Sequence, residues 1–80
     1  MTRIKIVGKK VSQGVNKEGK AYNRTIFYYE DFTADADEGI VVGALMVDNG
    51  HQYYSPSVGE IVIPLNCWKN IFCTDFYPCD

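Results

Sequence analysis

A chain of 80 residues, 46% hydrophobic and 22% charged, has room for a single domain (residues 1–80) around one small core, and is too apolar for a disordered tail. Its longest uncharged apolar run, Ile40 to Val47, is far shorter than the ~20 residues that cross a bilayer, which excludes a helical membrane span. The formal net charge of −2 does not exclude a polyanionic partner, because the charge is unevenly placed.

Residues 1–24 hold seven basic side chains against Glu18 alone, whereas the rest of the chain holds Lys69 against nine acids. Screening confines strong interactions to ~8 Å, so a local basic face can neutralise phosphates whatever the total charge. The start, Met1-Thr2-Arg3-Ile4-Lys5, scatters its charges instead of placing a basic end before an apolar stretch. No secretory signal is expected there, and a cytoplasmic location follows, the host cytoplasm if the protein is phage-encoded.

In chain order, Arg3-Ile4-Lys5-Ile6-Val7 alternates polar and apolar residues, which predicts a strand with Ile4 and Ile6 facing the core. Gly8 interrupts it, and Lys9 to Gln13 resumes an extended stretch. Gly14-Val15-Asn16-Lys17-Glu18-Gly19 has the composition of a tight reversal with a charged tip. Lys20 to Tyr29 is rich in β-branched and aromatic residues and predicts a long strand, paired with the preceding stretch as a hairpin. Asp31 to Gly39 is acidic, lacks helical periodicity and reads as a loop.

Ile40 to Val47 is continuously apolar, the pattern of a strand buried on both faces or central in a barrel, with Gly43 marking a bulge or bend. Asp48-Asn49-Gly50 signals a tight turn. Gln52-Tyr53-Tyr54 is a short extended piece, and Glu60 to Leu65 a further strand whose end Pro64 places at an edge. Trp68, Ile71, Phe72 and Phe76 supply apolar groups beyond it without a clear element. About five extended segments, turn signals and no crossover helix predict a small antiparallel barrel.

Catalytic chemistry is poorly provided for. The one histidine, His51, falls on a predicted turn, and no phosphate-binding glycine loop or nucleophile elbow occurs, so no enzyme and no cofactor are expected. Asp35, Asp37 and Glu38 lack the spacing and central glycine of a calcium loop and read as a solvated segment. Cys67, Cys73 and Cys79 with His51 would make a zinc donor set, but five residues separate successive cysteines where zinc sites begin from ligands two to four apart. Ordinary reduced thiols, and no metal, are the expectation.

Binding is better supported. Lys20, Tyr22 and Arg24 alternate along one strand and share a face, the turn adds Lys17, and Lys9 or Lys10 comes from the paired strand. Cations that track a backbone, beside an aromatic on which a base stacks, are what a sequence-tolerant single-strand binder needs. The same residues also suit a plain edge hairpin, with Tyr22 as a cross-strand packing residue and lysines that deter aggregation.

The run Gly14-Val15-Asn16-Lys17-Glu18-Gly19-Lys20-Ala21-Tyr22 resembles the DNA-binding wing of the filamentous-phage gene V proteins, which are small single-stranded DNA-binding proteins. Val47-Asp48-Asn49-Gly50-His51-Gln52-Tyr53-Tyr54-Ser55-Pro56 resembles the same family's later apolar strand, its acidic-glycine turn and the tyrosine-small-proline that follows. The resemblance implies a five-stranded OB-type barrel with a protruding N-terminal hairpin, a two-fold homodimer, and cooperative coating of single-stranded DNA during replication of a phage or mobile element.

By position it implies that Lys17 and Lys20 contact phosphates, that Tyr22 stacks a base, and that Phe72 corresponds to an exposed phenylalanine that reaches DNA on a neighbouring subunit. Two departures imply a different DNA path or cooperativity. Gly39 and Ala44 stand where the family has a tyrosine and a lysine, and the chain closes on an acidic, cysteine-bearing tail. The expected binding set is Lys9, Lys10, Lys17, Lys20, Tyr22, Arg24 and Phe72, on single-stranded DNA or RNA. The rival from another class is a protein-interaction module whose acidic segment, residues 30–38, mimics nucleic acid.

Overall fold

The structure, a computed structural model, describes residues 3–34, 36–50, 52–69 and 71–79. Five strands form one antiparallel sheet: β1 (Ile4–Val15), β2 (Ala21–Asp31), β3 (Val41–Asp48), β4 (Ile61–Leu65) and β5 (Asp75–Pro78), in the order β3-β2-β1-β4-β5. The described residues contain no helix, and none long and apolar enough to cross a membrane.

Alternation sets the core. Ile4 and Ile6 of β1, Phe27 and Tyr29 of β2, Leu45 and Val47 of β3, and Val62 and Phe76 of β4 and β5 turn to one face, with Cys73 beside them. Phe27 and Phe76 meet edge to face at 4.8 Å, which packs the end strand β5 against β2 across the interior. Ile4 and Ile6 face inward as their alternation requires. Gly8 does not end the strand, however. The register with β2 shifts between Ile6 and Gly8, a bulge that bends β1 and lets it run on to Val15.

The distal hairpin is built by its turn. Val15 pairs with Ala21, Asn16 N–H donates to Lys20 O, and Gly19 N–H donates to Asn16 O. The Asn16 side chain accepts from the backbone N–H groups of Glu18 and Lys20, and Gly19 takes a φ of 81°, which favours glycine. The reversal is therefore residues 16–20, tighter than the glycine-bounded stretch alone implies.

Three expectations need correction. The Val41–Asp48 strand is neither central nor buried on both faces: its ladder partner is β2 alone, and along it Leu45 and Val47 turn into the core while Val42, on the opposite face, is 68% exposed. Gly43 makes no bulge, because the β2–β3 register runs unbroken through Tyr29↔Gly43. A β-carbon there would lie 2.6 Å from the Tyr29 hydroxyl, so glycine is required by the close approach of that ring. The fifth strand is Asp75–Pro78 rather than Gln52-Tyr53-Tyr54. The latter is held irregularly, with the backbone N–H groups of Tyr53 and Tyr54 donating to the Asp75 carboxylate.

Pro64 fits its place. β1 pairs only with Ile61 and Val62, so Pro64 lies where β4 has β5 as its single ladder neighbour and no N–H is missed. Beyond it, the segment before β5 crosses to the free side of β3. Met46 N–H donates to Ile71 O at 2.7 Å, Cys73 N–H donates to Met46 O at 3.1 Å, and Met46 and Phe72 form a parallel bridge.

Candidate nucleic-acid interface

The hairpin and the segment before β5 together make a groove. On β2, Tyr22, Arg24 and Ile26 lie on the face opposite the core residues Thr25 and Phe27, and their β1 partners are Gly14, Ser12 and Lys10. Tyr22 lies across Gly14, and the Arg24 guanidinium sits 4.8 Å from the Tyr22 ring centroid. Arg24 also reaches the Met46 sulfur at 3.9 Å, where a flexible thioether supplies soft contact.

Opposite them, Trp68 and Phe72 stack with centroids 5.4 Å apart and planes 18° from parallel. Tyr22, Arg24, Met46, Trp68 and Phe72 line one cavity of about 440 Å³, open to solvent. Trp68 remains 47% exposed, so its ring is offered to a ligand as well as to Phe72.

The residues expected from the sequence are therefore divided. Lys10, Tyr22 and Arg24 share one face of the hairpin, with Lys17 and Lys20 in its turn, all of the lysines exposed. Phe72 joins Tyr22 and Arg24 within the same chain. Lys9 is placed elsewhere: opposite Phe27 on the core side, its ammonium is 5.4 Å from the Phe27 ring and donates to Ser55 Oγ at 3.3 Å. Trp68 and Met46 are the groove residues that sequence reasoning passed over. The available signal was Trp68 and Phe72 four residues apart between Cys67 and Cys73, but only the crossing to β3 brings them beside the hairpin.

Acidity is mostly kept away from this face. The described residues of the 32–40 segment are exposed and follow the opposite end of β2 from the hairpin turn. Asp31 itself is buried, not part of the loop, and accepts from the Thr33 backbone and hydroxyl. Asp48 is the acid on the groove wall. Asp35 and His51 lie outside the described residues, and among the described residues no cluster of three metal-ligating side chains occurs. Comparison with protein families, curated proteins and solved structures finds no match to this chain, so its site is read from its own geometry.

Proposed function

We propose that this protein is a gene V type single-stranded DNA-binding protein that grips DNA without strong sequence preference, performs no chemistry, and coats it during replication of a phage or mobile element. The observation that carries this reading is the groove in which Tyr22 and Arg24 face Trp68 and Phe72 beside the hairpin lysines. Aromatic faces accept any base, cations follow the phosphates, and neither reads sequence.

An OB-type barrel completes the proposal. The strand order β3-β2-β1-β4-β5, with the segment before β5 bridged to β3, supports that closure. Assembly as a homodimer in the cytoplasm, cooperative on DNA, accords with a groove that offers each subunit only a few nucleotides' worth of contacts.

The sole tryptophan, Trp68, makes the test direct. Titration with an unstructured oligonucleotide should quench its emission, and the affinity should fall as salt rises. No salt-sensitive binding at micromolar protein would overturn the reading. Reversing Asp37 and Glu38 to lysine should leave oligonucleotide binding intact, whereas reversing Lys17 and Lys20 should remove most of it; the opposite pattern would favour an acidic protein-binding surface.

A further inference from the structure

Cys67 and Cys73 flank the bridge between Trp68 and Phe72, and that bridge is a hydrogen-bonded pair. Trp68 N–H donates to Phe72 O at 3.0 Å and Phe72 N–H donates to Trp68 O at 3.2 Å. As an antiparallel bridge it makes Cys67 and Cys73 the next pair outward from Trp68 and Phe72. The pair next to a hydrogen-bonded one has Cα atoms ~4.5 Å apart and both side chains on one face. Disulfides span Cα separations of ~4.4–6.8 Å, a range that includes such a pair. Both thiols are free, Cys67 exposed and Cys73 buried, and they lie close enough for each to influence the other's ionisation. Cys79 belongs to the far end of β4, where its N–H donates to Ile61 O.

We propose that Cys67 and Cys73 are a reversible disulfide pair, closed by exchange with an oxidised low-molecular-weight disulfide, that clamps the segment presenting Trp68 and Phe72. Cys67 loses its proton and its sulfur attacks one sulfur of the small disulfide, whose S–S bond breaks; the departing thiolate takes up that proton. Cys73 then loses its proton, attacks the Cys67 sulfur and displaces the second small thiolate, which is protonated in turn. Two protein thiols are oxidised to one disulfide, and one small disulfide is reduced to two thiols. Exposure makes Cys67 the entry point. Cys73, which burial chiefly holds protonated with its thiol pushed up to about 12, is the resolving partner, so closure accelerates as pH rises. The pair rests on backbone register and stands apart from the nucleic-acid reading.

The test uses the full chain, reduced and then incubated with oxidised glutathione at mildly alkaline pH. Intact mass should fall by two hydrogens. Trypsin cuts after Lys69, between the two cysteines, so the bond should appear as a linked peptide pair that dithiothreitol separates. Cys79→Ser should leave the linkage unchanged, and Cys67→Ser, at an exposed position, should abolish it. A lasting glutathione adduct on Cys67 with Cys73 still open to alkylation after unfolding, a bond through Cys79, or a bond between chains would each overturn the proposal.

Discussion

Tyr22 shows how one side chain is positioned twice over, by its place in the β2 alternation and by the Arg24 guanidinium 4.8 Å from its ring centroid. It is half-buried but outside the core cluster, so Tyr22→Ala should weaken oligonucleotide binding by ~1–3 kcal/mol while leaving the unfolding midpoint nearly unchanged. Fluorescence titration and thermal denaturation of the same variant check both halves. Cys73 is the residue whose ionisation matters to the fold: burial first, then the neighbouring Cys67, lift its thiol from 9.0 to about 12. A raised acid favours the folded state while it stays protonated. Stability should therefore be full below pH 9.0 and decline as pH rises towards about 12, where the unfolded thiol is ionised and the folded one is not. Denaturant midpoints across that window should show the decline, and Cys73→Ala should flatten it. Tyr29, raised by burial and then by Asp31, adds a decline of the same sign that begins above 10.0.

At the scale of the element, the hairpin is legible in sequence because its determinants are local. Asn16 and Gly19 shape the turn that carries Lys17 and Lys20, and Tyr22 and Arg24 follow from period-two alternation. Asn16→Ala removes the acceptor of two backbone N–H groups, each such bond contributing about 0.5–1.5 kcal/mol. Amide exchange should accelerate from Gly14 to Ala21 and stay slow in the core strands. The edge position of β3 is not legible in sequence because a continuous apolar run has two structural meanings. Its outward residues, Val42 and Ala44, look the same in sequence as the inward Leu45 and Val47. Gly43 carries the opposite lesson: its role depends on Tyr29 from the next strand. Gly43→Ala should lower stability by ~1–3 kcal/mol, measured by chemical denaturation, because the Tyr29 ring must leave its packed position.

For the whole molecule, the long extent of 43 Å against 26 and 20 Å is about the length of β1, ~3.3 Å for each of its 12 residues. The hairpin thus carries its cations away from the acidic end of the chain. Lys10, Lys17, Lys20 and Arg24 are four cations able to track phosphates. On a single strand each phosphate neutralised contributes roughly −0.7 to the slope of log affinity against log salt, so the full slope should be about −3. Lys20→Ala should reduce it by roughly 0.7. Lys9→Ala should leave it unchanged, since that ammonium is engaged with Ser55 and Phe27.

The sequence by itself determined an all-β domain, the inward Ile4 and Ile6, the hairpin and its basic face, because alternation and turn chemistry act between residues close along the chain. It did not determine the fifth strand, the edge position of β3, the separate environment of Lys9 or the partner of Tyr22 across the groove. Those rest on contacts between distant segments: Asp75 with Tyr53 and Tyr54, Phe27 with Lys9, and Met46 with Ile71 and Cys73. Only tertiary structure brings Trp68 and Phe72 to the hairpin, because two backbone hydrogen bonds to one residue of β3 decide where that late segment lies.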